Sequence, residues 1–562
     1  MKYYYREKDW LYLGFNYNPS YVSFLKSLKK AYYNYATHEW HIQLDLSISS
    51  VLQDFIKKND FVRNKPVLER EIPLKPIEPI ADKSSIADLV KYLKLPLNLR
   101  DYQIEGLTYM VNHENCINGC APGLGKSRVT IAYAELLNTF PCIVVCPATV
   151  KTSWKKEWER CNPKRTVHII DSKDAEDTDW KADVTIINYD FLCKKNKKGD
   201  KEIHLRYRSL YKKWALTVFD EIHLCKNEKA IRSKAVRKIA EKALHKIVLS
   251  GTLIQNRPQE LINVLKILGQ FKNIFPDEKY FKFRYCNARI TRFGVDASGA
   301  SNTLELHEII RHYCYFRKER EDVLKELPPI TEQYIQVPIT NKKEYEKAEE
   351  DFIKYLSEID IEAAERAERA EHLVRLINLK RLSLKGKTKF IIQFLKDWQD
   401  SDEDAKIIVF GTLKEPLVEL YKAFQKDSVL ITGEDSNATK MDKAEEFKKS
   451  KQFLFANIAT MSTGVDGLQN ACSNMAFIEW PARPSDLEQA TARINRMGQK
   501  ENINIYHLLS EETIDTDIQA LMKKKIEVTN AVNKGVDTVS NSSKSMDWEL
   551  MKRIKDKNRN PK

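Results

Sequence analysis

The chain has 562 residues, 42% hydrophobic and 31% charged, with a formal net charge of +14. That is globular composition with room for several buried cores. It excludes wholesale disorder and points weakly toward a polyanionic partner such as nucleic acid. No apolar run approaches the roughly 18–20 residues that cross a bilayer, and the ten cysteines include no CxxC pair, so neither a membrane span nor a zinc site is expected. The thiols read as reduced, in a cytoplasmic or nucleoid-associated setting without a targeting signal.

Residues 1–40 hold 13 aromatics, about a third of the segment against 10% for the chain, interleaved with Lys26, Lys29 and Lys30. An amphipathic stretch follows at 44–56, so 1–65 predict a small aromatic-rich α+β module. Some of its rings, Trp40 among them, are candidates to stack on unpaired bases, while most must build the module's interior. Pro66, Pro73, Pro76 and Pro79 predict a linker over 66–97, since each removes a backbone donor and pushes its predecessor toward extended geometry. Continuous apolar runs at 143–146, 184–187, 216–219 and 247–249 alternate with helical periods, which suits a parallel sheet covered on both faces, over 98–328. The alternation returns at 407–410, 429–431, 453–455 and 475–478, predicting a second such sheet over 329–530. A charged, helix-favouring protrusion is expected at 341–384, and a loose basic tail at 531–562.

The chemistry sits where these strands end. Gly119-Cys120-Ala121-Pro122-Gly123-Leu124-Gly125-Lys126-Ser127 leaves a hydrophobic stretch and opens a helical one. Its glycines let the backbone fold round a phosphate, Lys126 can reach the β/γ oxygens, and Ser127 can ligate magnesium. Just upstream, Gln103 offers the donor and acceptor that an adenine edge requires. Lys194, Lys195, Lys197 and Lys198, near Arg206, Arg208, Lys212 and Lys213, form a basic cluster suited to DNA phosphates or simply to solvent. Asp220-Glu221-Ile222-His223 ends a strand, with Asp220 suited to magnesium and Glu221 to polarising the attacking water. Ser250-Gly251-Thr252 closes the next strand, where a turn can sense and relay phosphate state. Gln489 precedes Arg493 and Arg496, which are three apart and expected on one helical face, able to project at a γ-phosphate held by the other lobe. Each fragment alone has an ordinary reading: a turn, a solvated loop, a dipole-stabilised helix end. Their ordered conjunction predicts a two-lobed motor driven by a nucleoside triphosphate.

These motifs resemble those of superfamily-two helicases of the Swi/Snf type. The resemblance spans about 98–530 and includes Lys226-Asn227, Ile254-Gln255-Asn256, Asp322-Val323-Leu324 and Leu327-Pro328. Two further stretches, Arg284-Tyr285-Cys286-Asn287-Ala288 and Asp296-Ala297-Ser298-Gly299-Ala300-Ser301-Asn302, are similar to the annealing-helicase branch. That branch carries HARP modules ahead of its motor, and the segment with Phe15-Asn16-Tyr17-Asn18, Tyr35 and Trp40 is similar to one. The resemblance implies two RecA-like lobes, ATP and Mg2+, and ATP contacts from Gln103, Pro122, Gly123, Leu124, Gly125, Lys126, Ser127 and Gln489. It also implies coupling through Ser250, Gly251, Thr252, Gly464 and Asp466, with a DNA contact at Asn256. The implied activity is translocation on double-stranded DNA with remodelling of branched or forked DNA, and a single-stranded DNA-binding protein is a further candidate partner. The chain departs from the pattern at Cys120-Ala121, where an acidic pair is common, at Ile222, and at Ala492 and Asn495 beside the arginines; none of these removes a group that hydrolysis needs. A protein-displacing translocase, an RNA helicase and a binding module with decayed hydrolysis remain alternative readings.

Overall fold

The computed structural model describes residues 3–557 apart from 8–9, 16–17, 29, 35–38, 45, 60, 64–71, 73, 172–179, 194–203, 256, 292–293, 325–326, 359–369, 402–403, 462–464, 466, 482 and 536–545. The N-terminal module is a five-stranded sheet in the order Ala31–Asn34, Glu39–Gln43, Trp10–Gly14, Tyr3–Glu7, Val62–Arg63, antiparallel except at its last pair. The two-residue period of the strands sends Leu11, Leu13, Trp40 and Ile42 to one face, where they pack with Leu25, Leu52 and Ile56 of the helices Pro19–Ser27 and Leu46–Lys58. Asn18 caps the first helix, its side chain accepting from the Ser20 and Tyr21 N–H groups.

The expected linker is partly structured. Helix Lys83–Tyr92, capped by Asp82, buries Ile86 and Val90 in the first lobe's core. Asn112 Oδ1 accepts from Ile80 N–H at 2.7 Å and Ala81 N–H at 3.0 Å. The prolines do hold 74–79 free of regular structure, but they say nothing about the amphipathic turns that follow.

The first lobe is a seven-stranded sheet, parallel throughout, in the order Tyr315–Phe316, Asn115–Asn118, His245–Leu249, Leu216–Asp220, Cys142–Cys146, Val184–Asn188, Val167–Ile169. The second is a six-stranded parallel sheet in the order Ile330–Gln336, Ile503–Leu509, Asn474–Phe477, Ile407–Gly411, Phe453–Asn457, Ser428–Ile431. Central strands such as Cys142–Cys146 and Ile407–Gly411 are buried at every residue, as the continuous apolar runs require. Cys142 and Cys146 sit in that core with their thiols pushed up by burial, which makes them structural. The two stretches resembling the annealing branch flank an antiparallel hairpin, Arg289–Thr291 with Gly294–Asp296. Its base is stitched by Arg284 Nε to Glu305 at 2.8 Å and Ser301 Oγ to the Arg284 carbonyl at 2.6 Å.

The protrusion is built from helices Lys342–Glu358 and Ala370–Ser401, the second running well past the expected end at 384 into the lobe itself. There Lys387, fully buried, pairs with Asp515 at 2.5 Å and donates to the Leu508 carbonyl at 2.9 Å. Removing one partner of such a pair leaves a buried charge, so Lys387→Ala should cost about 3–5 kcal/mol. A denaturant midpoint unchanged from wild type would contradict that assignment.

The described part of the tail is helical, not loose as expected. Helix Ile514–Lys534 continues from the second lobe to the first, where Asn533 both accepts from and donates to the Ile254 backbone at 3.2 Å. Helix Met546–Lys557 buries Leu550, Met551 and Ile554 beside Leu356 and Leu376 of the protrusion. Polar composition hid this helix, because its apolar anchor is these three residues at helical spacing, joined by Arg553, which donates to Asp517 at 2.9 Å.

Candidate functional site

Asn118 lies beside Leu249, and Leu249 beside Asp220, in three neighbouring parallel strands. The turns leaving those strands are the glycine-rich loop, Ser250-Gly251-Thr252 and the acidic pair. They stand together at the carboxyl ends of the sheet, where parallel sheets bind ligands.

The glycine-rich loop runs into helix Lys126–Leu136, so its last residues meet a helix N-terminus. Gly125 has φ +76°, and a Cβ there would stand 2.4 Å from Gln103 Nε2, so the position admits only glycine. Lys126 Nζ donates to the Cys120 carbonyl at 2.8 Å. Burial pulls its pKa down, against the charges of Glu221, Cys120 and Asp220. The Leu124 carbonyl accepts from Tyr102 Oη at 3.3 Å and Gln103 Nε2 at 3.1 Å, while Gln103 Oε1 accepts from Arg100 N–H at 2.9 Å. Gln103 is buried and spends its amide bracing the loop, so it does not offer the open donor–acceptor edge expected for adenine. Ser127 follows Lys126 at the head of the helix, half-buried.

Asp220 Oδ2 accepts from Trp154 Nε1 at 2.8 Å, and the Asp220 carbonyl accepts from Tyr189 Oη at 2.7 Å. Glu221 adopts φ +53°, a left-handed turn that is strained for a residue with a side chain. Its carboxylate lies 3.1 Å from His223 Nδ1, which is 3.4 Å from Ser250 Oγ, and that hydroxyl donates to the Thr252 carbonyl at 2.7 Å. Burial and the adjacent Glu221 push Asp220 up to about 6. Burial opposes ionisation of Glu221 too, but His223, Lys126 and Arg493 outweigh it and hold Glu221 below the ordinary carboxylate range. The pair therefore divides into an ionised Glu221 and an Asp220 short of positive charge.

The second lobe closes the site. Helix Pro484–Thr491 carries Glu488 and Gln489, and ends before the arginines. Arg493 and Arg496 thus stand in the tight turns after the helix, not on one helical face as expected; Arg496 N–H bonds to the Ile494 carbonyl at 3.0 Å. Position, not helical phase, brings them to the site. A Cβ at Gly123 would stand 3.6 Å from Cβ of Arg496, and the charge of Arg493 is felt by Glu221. Arg493 also donates to the Val465 carbonyl at 3.0 Å. Thr252 Oγ1 donates to Glu488 Oε2 across the lobes at 3.1 Å. Gly251 packs so tightly on Pro122 that a Cβ there would meet its ring at 2.8 Å.

Trp154, Tyr189, Arg317, Arg320 and Glu488 complete the arrangement and were not foreseen. Arg317 and Arg320 lie just ahead of Asp322-Val323-Leu324, but no spacing rule links them to a loop about 200 residues upstream. Lys194, Lys195, Lys197, Lys198, Asn256, Gly464 and Asp466 lie outside the described residues. Of the neighbouring basic residues, Arg206 donates to the Cys193 carbonyl at 3.0 Å, and Lys212 donates to the Trp180 carbonyl at 2.9 Å.

Trp40 is not placed to stack on a base. It is 4% exposed, on the helix-covered face of the module, with Tyr33 5.6 Å away. The opposite face carries Trp10, Tyr12, Tyr32 and His41, and Tyr32 is 51% exposed. A composition-based reading could not tell the two faces apart before the strand register was known.

A family profile described as SNF2-related domain matches residues 22–386. The chain is 26% identical over 542 residues to the "SWI/SNF-related matrix-associated actin-dependent regulator of chromatin subfamily A-like protein 1 homolog" of Caenorhabditis elegans, covering 93% of this chain and 74% of that protein. It is 25% identical over 559 residues to the corresponding Xenopus laevis protein, covering 95% and 54%. It is also 25% identical over 456 residues to "DNA annealing helicase and endonuclease ZRANB3" of Bos taurus, covering 79% and 41%. The chain thus spans three quarters of the nematode relative but only about half or less of the other two. The solved structure "Sulfolobus solfataricus SWI2/SNF2 ATPase core in complex with dsDNA" is 21% identical, covering 78% of this chain and 94% of that one, with a TM-score of 0.36.

Proposed function

The chain belongs to the SNF2-related family of ATPases, and from that premise we propose that it is a DNA-stimulated ATPase that moves on double-stranded DNA and remodels branched or forked junctions. The observation that carries the reading is the meeting of the lobes: the arginine turn lies against the phosphate loop at Gly123, and Thr252 donates to Glu488 of the second lobe at 3.1 Å.

In this reading the loop 119–125 and the N-terminus of helix Lys126–Leu136 cradle the triphosphate, with Lys126 leaving the Cys120 carbonyl for the phosphate oxygens. Ionised Glu221, held by His223, orients and polarises the attacking water. Arg493 and Arg496 neutralise the charge that spreads over the transferred phosphoryl oxygens. Ser127 and Asp220 are the oxygen donors for Mg2+; Asp220, deep in the site and pushed up by burial and Glu221, lacks the positive charge that a hard cation supplies. Bound magnesium contributes charge neutralisation on the phosphates. Closure by nucleotide and opening after hydrolysis would shift one lobe against the other along a phosphate backbone, without reading sequence.

Remodelling of forks is supported by the relatives named for DNA annealing and by the aromatic sheet face of the N-terminal module opposite its helices, where Tyr32 is exposed. Rings at Trp10, Tyr12 and Tyr32 offer a platform for unpaired bases, worth about 1–3 kcal/mol per stacked base. Removing residues 1–65 should spare basal ATP turnover while reducing the preference for forked over plain duplex DNA. An unchanged preference would assign the module a structural role only. The proposal as a whole is tested by comparing ATP turnover on forked DNA, plain duplex and RNA.

A further inference from the structure

Strand Tyr315–Phe316 delivers Arg317 to the edge of the phosphate loop. The guanidinium, whose side chain is 7% exposed, donates from Nη1 to the Gly119 carbonyl at 3.0 Å and the Gly251 carbonyl at 2.6 Å. Its Nε donates to Glu319, and Nη2 lies 3.9 Å from Glu488 Oε1 of the other lobe. The second oxygen of Glu488 takes the Thr252 hydroxyl at 3.1 Å. Arg320 is pinned nearby, donating to the Pro122 carbonyl at 2.8 Å, and it too feels the charge of Glu488. Thus one carboxylate from the second lobe reaches both turns that flank the phosphate loop, and it stands on the helix that leads into the arginine turn.

Arg317 cannot swing out to meet a partner, because its other donors are committed to two backbone carbonyls and Glu319. The carboxylate must come to it. Glu488 takes the Thr252 hydroxyl in a charge-assisted bond, about twice as strong as a neutral one, and faces Arg317 as an ion pair at 3.9 Å, so both contacts are sensitive to small displacements of either turn. Any shift of Ser250-Gly251-Thr252 or of the phosphate loop moves the partners of Glu488, and with them the helix Pro484–Thr491.

We propose that Glu488 is a positioning residue that ties the placement of Arg493 and Arg496 to the state of the phosphate loop and the Ser250-Gly251-Thr252 turn. The inference rests on the ATPase reading above. Glu488 touches no reacting atom; it acts through the arginines by holding their turn in register with the first lobe. Its loss should therefore lower kcat and leave KM for ATP nearly unchanged.

The test is a double-mutant cycle in the full chain, using Glu488→Gln, which keeps shape and an acceptor for Thr252 but removes the charge facing Arg317, and Arg493→Lys. Turnover is measured at saturating duplex DNA over a range of ATP. Glu488→Gln should lower kcat about tenfold with KM within about twofold, and in the Arg493→Lys background it should cost less than about twofold, because the group it positions is already impaired. Equal losses in both backgrounds would assign Glu488 a generic structural role and overturn the inference. So would unchanged kcat, or a rise in KM that accounts for the whole effect. Wild-type turnover with an inert Glu488→Gln would overturn this inference alone. Absent wild-type turnover would overturn the ATPase reading and this inference with it.

Discussion

Replacing Arg496 by alanine should lower DNA-stimulated ATP turnover by about 10³-fold or more while leaving DNA binding measurable. An arginine that neutralises the transferred phosphoryl group is worth about 10³–10⁵ in kcat. The geometry supports that role: the turn carrying Arg493 and Arg496 is set against Gly123 of the phosphate loop. Arg496→Lys should rescue only part of the loss, because a single ammonium cannot reproduce the planar fork. Turnover near wild type in Arg496→Ala would place the γ-phosphate elsewhere. A parallel loss of DNA binding would make the residue a DNA contact and not part of the nucleotide site.

Lys126→Ala should cost about 10²–10³-fold in kcat, the range for removing one preorganised group aimed at developing charge. Lys126 is half-buried beside Glu221, Asp220 and Cys120, and its ammonium holds the loop's own Cys120 carbonyl. Removing it takes away both the proposed phosphate ligand and one of the groups that, behind His223, favour the ionised form of Glu221. Binding of duplex DNA should stay within about twofold, since the proposed reading assigns Lys126 to the nucleotide phosphates and not to the DNA backbone. Gel-shift and turnover measurements on the same preparation check both halves. Retained hydrolysis would remove the loop from the mechanism.

The acidic pair and the Ser250-Gly251-Thr252 turn were legible because each falls at the end of a strand whose apolar run is plain to read. Leu216–Asp220 and His245–Leu249 are uninterrupted enough to locate Asp220 and Ser250 before any coordinates exist. Their adjacency is different. The strand order that sets Asn115–Asn118 beside His245–Leu249 is a long-range property, visible only once the sheet is formed. Residues that act through that adjacency were therefore missed. Trp154 reaches Asp220 from a helix 66 positions away, and Arg317 reaches Gly119 across 198. Misjudged residues share another cause. Trp40 and Tyr32 are both aromatics in a basic, aromatic-rich segment, and only strand register sends one into the core and the other to solvent. Arg493 and Arg496 have helical spacing, yet the helix ends at Thr491, because spacing alone does not mark where a helix stops. The tail misled through its composition, since the apolar anchor of Met546–Lys557 is three buried residues on one face.

The most direct measurement is steady-state ATP hydrolysis by the full chain with magnesium, in the presence of forked DNA, plain duplex or RNA, with Glu221→Gln as the baseline. Forked DNA should stimulate turnover most, plain duplex less, and RNA should leave it near the unstimulated rate. No turnover above the Glu221→Gln baseline on any nucleic acid, or strongest stimulation by RNA, would contradict the account.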